Sequence, residues 1–149
     1  MKKYYKLLIF PALIVIIAGI FSGFSEQSCT KIAESLLEER TRILQMAYYD
    51  RIKLDEAEEM LKQIETYPLL SEDIAYLRAA EPTELDIVKS MEFVETYQKN
   101  KLFGYVSLNT NIRWNMRGLS EDYVSDNEYS VILKLTNNGY KLSEFNPII

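Results

Sequence analysis

Hydrophobic and polar positions alternate in three different ways along this chain. Residues Leu7 to Phe24 carry no charge and almost no polar side chain. From Thr30 to Ala80 apolar residues recur every three or four positions. From Ile87 onward they recur every second position. The first pattern predicts a membrane segment, the second helices, and the third strands.

The uncharged run is 18 residues long, which spans roughly 27 Å as a helix, just enough for a bilayer core. Leu7, Ile9, Leu13, Ile16 and Ile20 supply its lipid-facing bulk. Lys2, Lys3 and Lys6 precede it, and Lys31 is the only base close behind it. The positive-inside rule then predicts a cytoplasmic N-terminus and a C-terminal part outside. The alternative is a signal peptide cut near Ser25, since Gly23 and Ser25 are small residues at suitable spacing. Residues 26–30 form a linker, and residues 31–149 form the extracytoplasmic domain.

Within that domain Ile32, Leu36, Ile43, Leu44, Ala47 and Tyr48 predict a helix over 30–49. Asp55 followed by Glu58 has the form of a capping box, which predicts a second helix from Asp55 to about Thr66. Pro68 stops it, and Ser71-Glu72-Asp73 opens a third helix ending at Ala80. After Pro82 the spacing of Ile87, Met91, Phe93 and Tyr97 favours a strand over a helix across 84–98, with a turn at Lys99-Asn100-Lys101. Val106, Leu108, Thr110, Ile112, Trp114 and Met116 then share one face of a strand. Its other face carries Ser107, Asn109, Asn111, Arg113 and Asn115. Residues 117–126 read as a polar loop. Tyr129, Val131, Leu133 and Leu135 alternate again, Asn137-Asn138-Gly139 predicts a hairpin turn, and Tyr140, Leu142 and Phe145 form the last strand before Pro147.

Helices first and an antiparallel meander afterwards predict an α+β domain, with two to three helices on one face of a roughly four-stranded sheet. This layout, the strand ending Ile112-Arg113-Trp114-Asn115-Met116 and the final hairpin from Tyr129 to Phe145 resemble the cystatin-like, nuclear transport factor 2-like superfamily. Members of that superfamily serve as enzymes, ligand pockets or assembly modules, so the resemblance implies a fold and not one activity. An N-terminal anchor followed by such a domain also resembles inner-membrane subunits of type IV secretion and related conjugation or sporulation channels.

Charge narrows the partners. The first 25 residues hold three of the 17 bases and none of the 22 acids, which leaves the domain at −8. An acidic body repels phosphate backbones, so nucleic acid is not an expected partner. There is no histidine, which removes the commonest general base and metal ligand, and with it Ser-His-Asp and Cys-His chemistry. Cys29 is the single cysteine, so no disulfide can form within the chain. In the linker it is an inert thiol or a bridge between two protomers.

Two acidic clusters remain. Asp55, Glu56, Glu58 and Glu59 fit a helix start. Glu121, Asp122, Asp126 and Glu128 fit a solvated loop and lack the regular order of a calcium loop. Neither predicts a metal site, and no cofactor or catalytic residue is expected. A pocket between helices and sheet would be lined by Tyr105, Trp114 and Tyr129. A protein interface would use the polar stripe of Asn109, Asn111, Arg113 and Asn115. The expected function is a non-catalytic, membrane-anchored module that binds a protein partner or a second copy of itself. The alternative is a small-molecule-binding domain.

Overall fold

The computed structural model describes residues 28–79 and 86–149. Helices α1 (Cys29–Tyr48), α2 (Leu54–Ile64) and α3 (Leu69–Ala79) precede strands β1 (Ile87–Leu102), β2 (Tyr105–Arg117), β3 (Asp122–Thr136) and β4 (Gly139–Pro147). The strands form one antiparallel sheet in chain order, so the domain is α+β, with three helices and four strands. The expected anchor, with Leu7, Ile9, Leu13, Ile16 and Ile20, lies outside the described residues. Among the described residues no helix is long and apolar enough to cross a membrane.

The helix starts differ from the sequence patterns for local reasons. The Ser28 hydroxyl accepts from the Lys31 backbone N–H and caps α1. Cys29 therefore sits in the first turn, packed against the core, and not in a linker. The capping box at Asp55 does not form. Lys53 occupies the cap position and supplies no side-chain bond, while Glu58 is buried and accepts from Arg78 Nε at 2.7 Å. Asp55 and Glu56 instead lie in the first turn, where the helix dipole favours them. α2 ends two residues early because Glu65 and Thr66 turn to the sheet, and Thr66 N donates to the Leu142 carbonyl at 2.7 Å.

β2 follows its alternation closely. Val106, Leu108 and Ile112 are fully buried, and the buried Thr110 hydroxyl bonds the Thr96 hydroxyl at 2.8 Å. Its pairing with β3 is unbroken from Tyr105 to Arg117. That pairing continues through Asp122–Asp126, so the expected polar loop shrinks to the few residues before Asp122. Backbone pairing needs no apolar alternation, and the side chains of Asp122, Tyr123, Val124 and Asp126 are exposed.

β1 is less regular. Its register with β2 shifts three times, between Val88 and Ser90, Phe93 and Glu95, and Gln98 and Asn100. Each bulge resets the alternation. Met91 and Phe93 pair with Trp114 and Ile112 on the inner face, whereas Ile87 and Tyr97 pair with Arg117 and Asn109 on the outer one. The turn into β2 lies beyond Lys99-Asn100-Lys101, at Phe103 (φ 49°) and Gly104 (φ 77°). Two successive positive φ values give the backbone twist that a two-residue hairpin requires. The predicted turn before Gly139 forms as expected, with Gly139 at φ 96°.

Two apolar clusters hold the layers. One joins Ala33, Leu37 and Leu69 to Val106, Leu108, Ile112, Val131, Leu133 and Leu142. The other lies among the helices, around Ile43, Leu44, Ala57, Leu61, Leu70 and Leu77.

Candidate functional site

α1 and α3 each carry a charged residue inside the apolar stripe, and a third stands just past the end of α2. Arg40 falls between Leu37 and Leu44, Glu65 lies four residues after Leu61, and Asp73 lies between Leu70 and Leu77. The fold brings the three together. Arg40 donates to both Asp73 oxygens, Nε at 2.6 Å and Nη2 at 2.7 Å. Glu65 is 1% exposed. Its Oε1 lies 3.3 Å from the same Nε, and neither carboxyl oxygen has a hydrogen-bond partner. Burial, with the Asp73 charge beside it, pushes the Glu65 carboxyl up to about 9 against the pull of Arg40. At that value Glu65 keeps its proton at pH 7, and Arg40 directs both of its hydrogen bonds to Asp73.

From Arg40 an aromatic path crosses the sheet. The guanidinium stands 5.1 Å from the Phe145 ring centre, Phe145 stacks on Tyr129 at 4.4 Å, and Trp114 Nε1–H donates to the Tyr129 hydroxyl at 3.0 Å. A cleft of about 430 Å³ opens between α1, α3 and Trp114, lined by Arg40, Leu44, Tyr48, Asp73 and Tyr76. The Tyr48 hydroxyl is buried without a partner. Of the three expected pocket residues, Trp114 and Tyr129 meet on the inner face. Tyr105 does not join them. It pairs with Lys134 at the far end of β2 and faces outward, 45% exposed. Its odd position on the strand already separates it from Trp114.

The outer face carries all four expected interface residues. Among the described residues no helix or strand covers it. Asn109 is nevertheless buried, donating through Nδ2 to the Tyr97 hydroxyl at 3.3 Å and to Glu128 Oε1 at 3.2 Å. Arg113 makes a two-pronged pair with Asp126, at 3.0 and 3.2 Å. Asn115 donates to Ser90 Oγ at 2.8 Å. The Oδ1 atoms of Asn109 and Asn111 are buried and unbonded. A buried acceptor without a donor costs about 1–3 kcal/mol.

The acidic clusters disperse. Glu58 pairs with Arg78, Asp122 with Lys89 and Asp126 with Arg113. Among the described residues no three potential ligands converge on a metal position. Arg40, Glu65, Asp73 and Phe145 were not expected at a site. For Arg40, Glu65 and Asp73 the signal is a charge at an apolar-stripe position, which periodicity reads as solvated unless the stripe is checked residue by residue. Neither a protein-family model nor a curated protein matches this chain.

Proposed function

We propose that the chain is a membrane-anchored, extracytoplasmic and non-catalytic interaction module of cystatin-like architecture. It binds a protein partner, or a second copy of itself, through the outer face of its sheet. The supporting observation is the pair of buried, unbonded Oδ1 atoms at Asn109 and Asn111 on a face left open. The two oxygens are shut off from solvent, so a partner crossing β2 would satisfy both acceptors with its N–H groups by shifting the side chains that cover them. Tyr97, Glu128, Arg113 and Asp126 would then surround a donor-rich contact. Site-specific photocrosslinking of the full chain in intact cells tests this. Probes at Asn111 and Asn115 should give adducts that a probe at Glu56, exposed on α2, does not. Equal yields from both surfaces would end the reading.

A second reading rests on the cleft beside Trp114. The unbonded Tyr48 hydroxyl and the Arg40 guanidinium offer donors to a small polar ligand there. Trp114 emission would report its entry, and a response abolished by Tyr48→Phe would favour this reading over the first.

A further inference from the structure

The two hairpins at one end of the sheet differ from the rest of the domain. Leu102 is 58% exposed, Phe103 92%, Tyr105 45% and Leu135 52%. Phe103 also holds a positive φ, where Asn, Asp or Gly fits and a bulky ring does not. The folded chain gains little from that ring, since it packs against almost nothing. The same two hairpins carry Lys99, Lys101, Lys134 and Lys141, the last with its Nζ on the Lys62 carbonyl. No acidic residue occurs from Thr96 to Ser120 or from Ser130 to Ser143, although the domain as a whole is strongly acidic. At the opposite end Leu119 is also 88% exposed, but Glu121 and Asp122 follow it.

The helical layer fixes which way this end points. Val88 N donates to Gln45 Oε1 at 3.2 Å, so the C-terminal end of α1 sits over the start of β1. From there α1 packs its N-terminal half in the cluster with Val106 and Leu133, which lie toward the hairpins. Cys29, where the domain leaves the anchor segment, thus faces the same end as Phe103. From Gln45 back to Cys29 the helix covers about 24 Å. From the Val88–Met116 rung to the Leu102–Tyr105 rung the sheet covers about 36 Å, since three of β1's residues are taken up by bulges. The hairpin overhangs the start of α1 by roughly 12 Å, and the five backbone steps from Phe24 to Cys29 span at most about 17 Å. Only Ser25 to Ser28 separate Phe24 from Cys29. In a chain anchored through residues 7–24 this tip is therefore within reach of the bilayer surface.

We propose that the β1–β2 hairpin is a second membrane contact. Phe103 and Leu102 insert at headgroup depth, and Lys99, Lys101 and Lys134 pair with anionic lipid phosphates. This rests on the anchor reading and is independent of the outer sheet face.

The test uses the full chain with Cys29→Ser and a single cysteine at position 103 (F103C) or 119 (L119C), carrying an environment-sensitive NBD dye. The chain is reconstituted into vesicles of phosphatidylcholine and phosphatidylglycerol. The dye at 103 should emit at shorter wavelength and be quenched by a headgroup nitroxide lipid at least twofold more than at 119. Adding Lys99→Glu and Lys101→Glu, or omitting phosphatidylglycerol, should remove most of that difference. Equal quenching at the two positions, in vesicles that carry the protein through flotation, overturns the hairpin contact and leaves the anchor standing. A chain that fails to float takes both down together.

Discussion

The two faces of β2 use one backbone for opposite ends. On the inner face Val106, Leu108 and Ile112 are sealed, and even the Thr110 hydroxyl has its partner. On the outer face Asn109 and Asn111 have buried oxygens that nothing in the chain satisfies. The inner face is complete within one molecule and the outer face is not. Stability should therefore reside in the even positions and binding in the odd ones, separated by a single residue step.

The comparison breaks most visibly under the inner face, at the ion pair. Arg40→Ala leaves Asp73 buried beside Glu65 without its cation and should cost about 3–5 kcal/mol in denaturant unfolding. Leu108→Ala, in the sealed face itself, should cost about 2–5 kcal/mol by the same measurement. If either is neutral, the inner face is not where the fold is held.

Glu65 sharpens the comparison through pH. The folded chain retains a proton that the unfolded chain releases above 4.5, while the folded carboxyl titrates at about 9. Its contribution is thus fullest at low pH and declines as pH rises between those values, by up to about 1.4 kcal/mol per unit. Thermal melts at several pH values should show this slope in the natural chain and a flatter one in Glu65→Gln. Identical slopes would mean that Glu65 is ionised beside Arg40.

The outer face should contribute little to stability. Arg113→Ala breaks a half-exposed pair with Asp126 and should cost less than about 1 kcal/mol. Asn111→Ala removes a buried acceptor that lacks a donor and should cost nothing, with a gain of up to about 1–3 kcal/mol. A large loss at either would mean that the outer face supports the fold.

What the sequence made legible follows from the same division. β2 was readable because it carries no bulge and its pairing with β3 is unbroken, and the core positions of β3 and β4 follow from Val131, Leu133 and Leu142. β1 was readable only as a strand, because two of its three bulges turn Ile87 and Tyr97 away from Met91 and Phe93. The turn at Phe103 was hidden because a phenylalanine occupies a place where turn chemistry expects Asn or Gly. Arg40, Glu65 and Asp73 escaped notice for another reason: each looks like a surface residue on its own helix and is buried only when three helices meet. The stripe of Asn109, Asn111, Arg113 and Asn115 was legible as a face. Its unsatisfied oxygens depend on the packing of Tyr97 and Glu128 and were not.

The account turns on whether the open sheet face is the working surface. The most direct measurement sets Asn111→Trp, which fills that face without touching the core, into the full chain carrying a photocrosslinker at Asn115. The melting temperature should stay close to that of the natural chain while the adduct at Asn115 disappears. An undiminished adduct from a normally folded Asn111→Trp chain would contradict it.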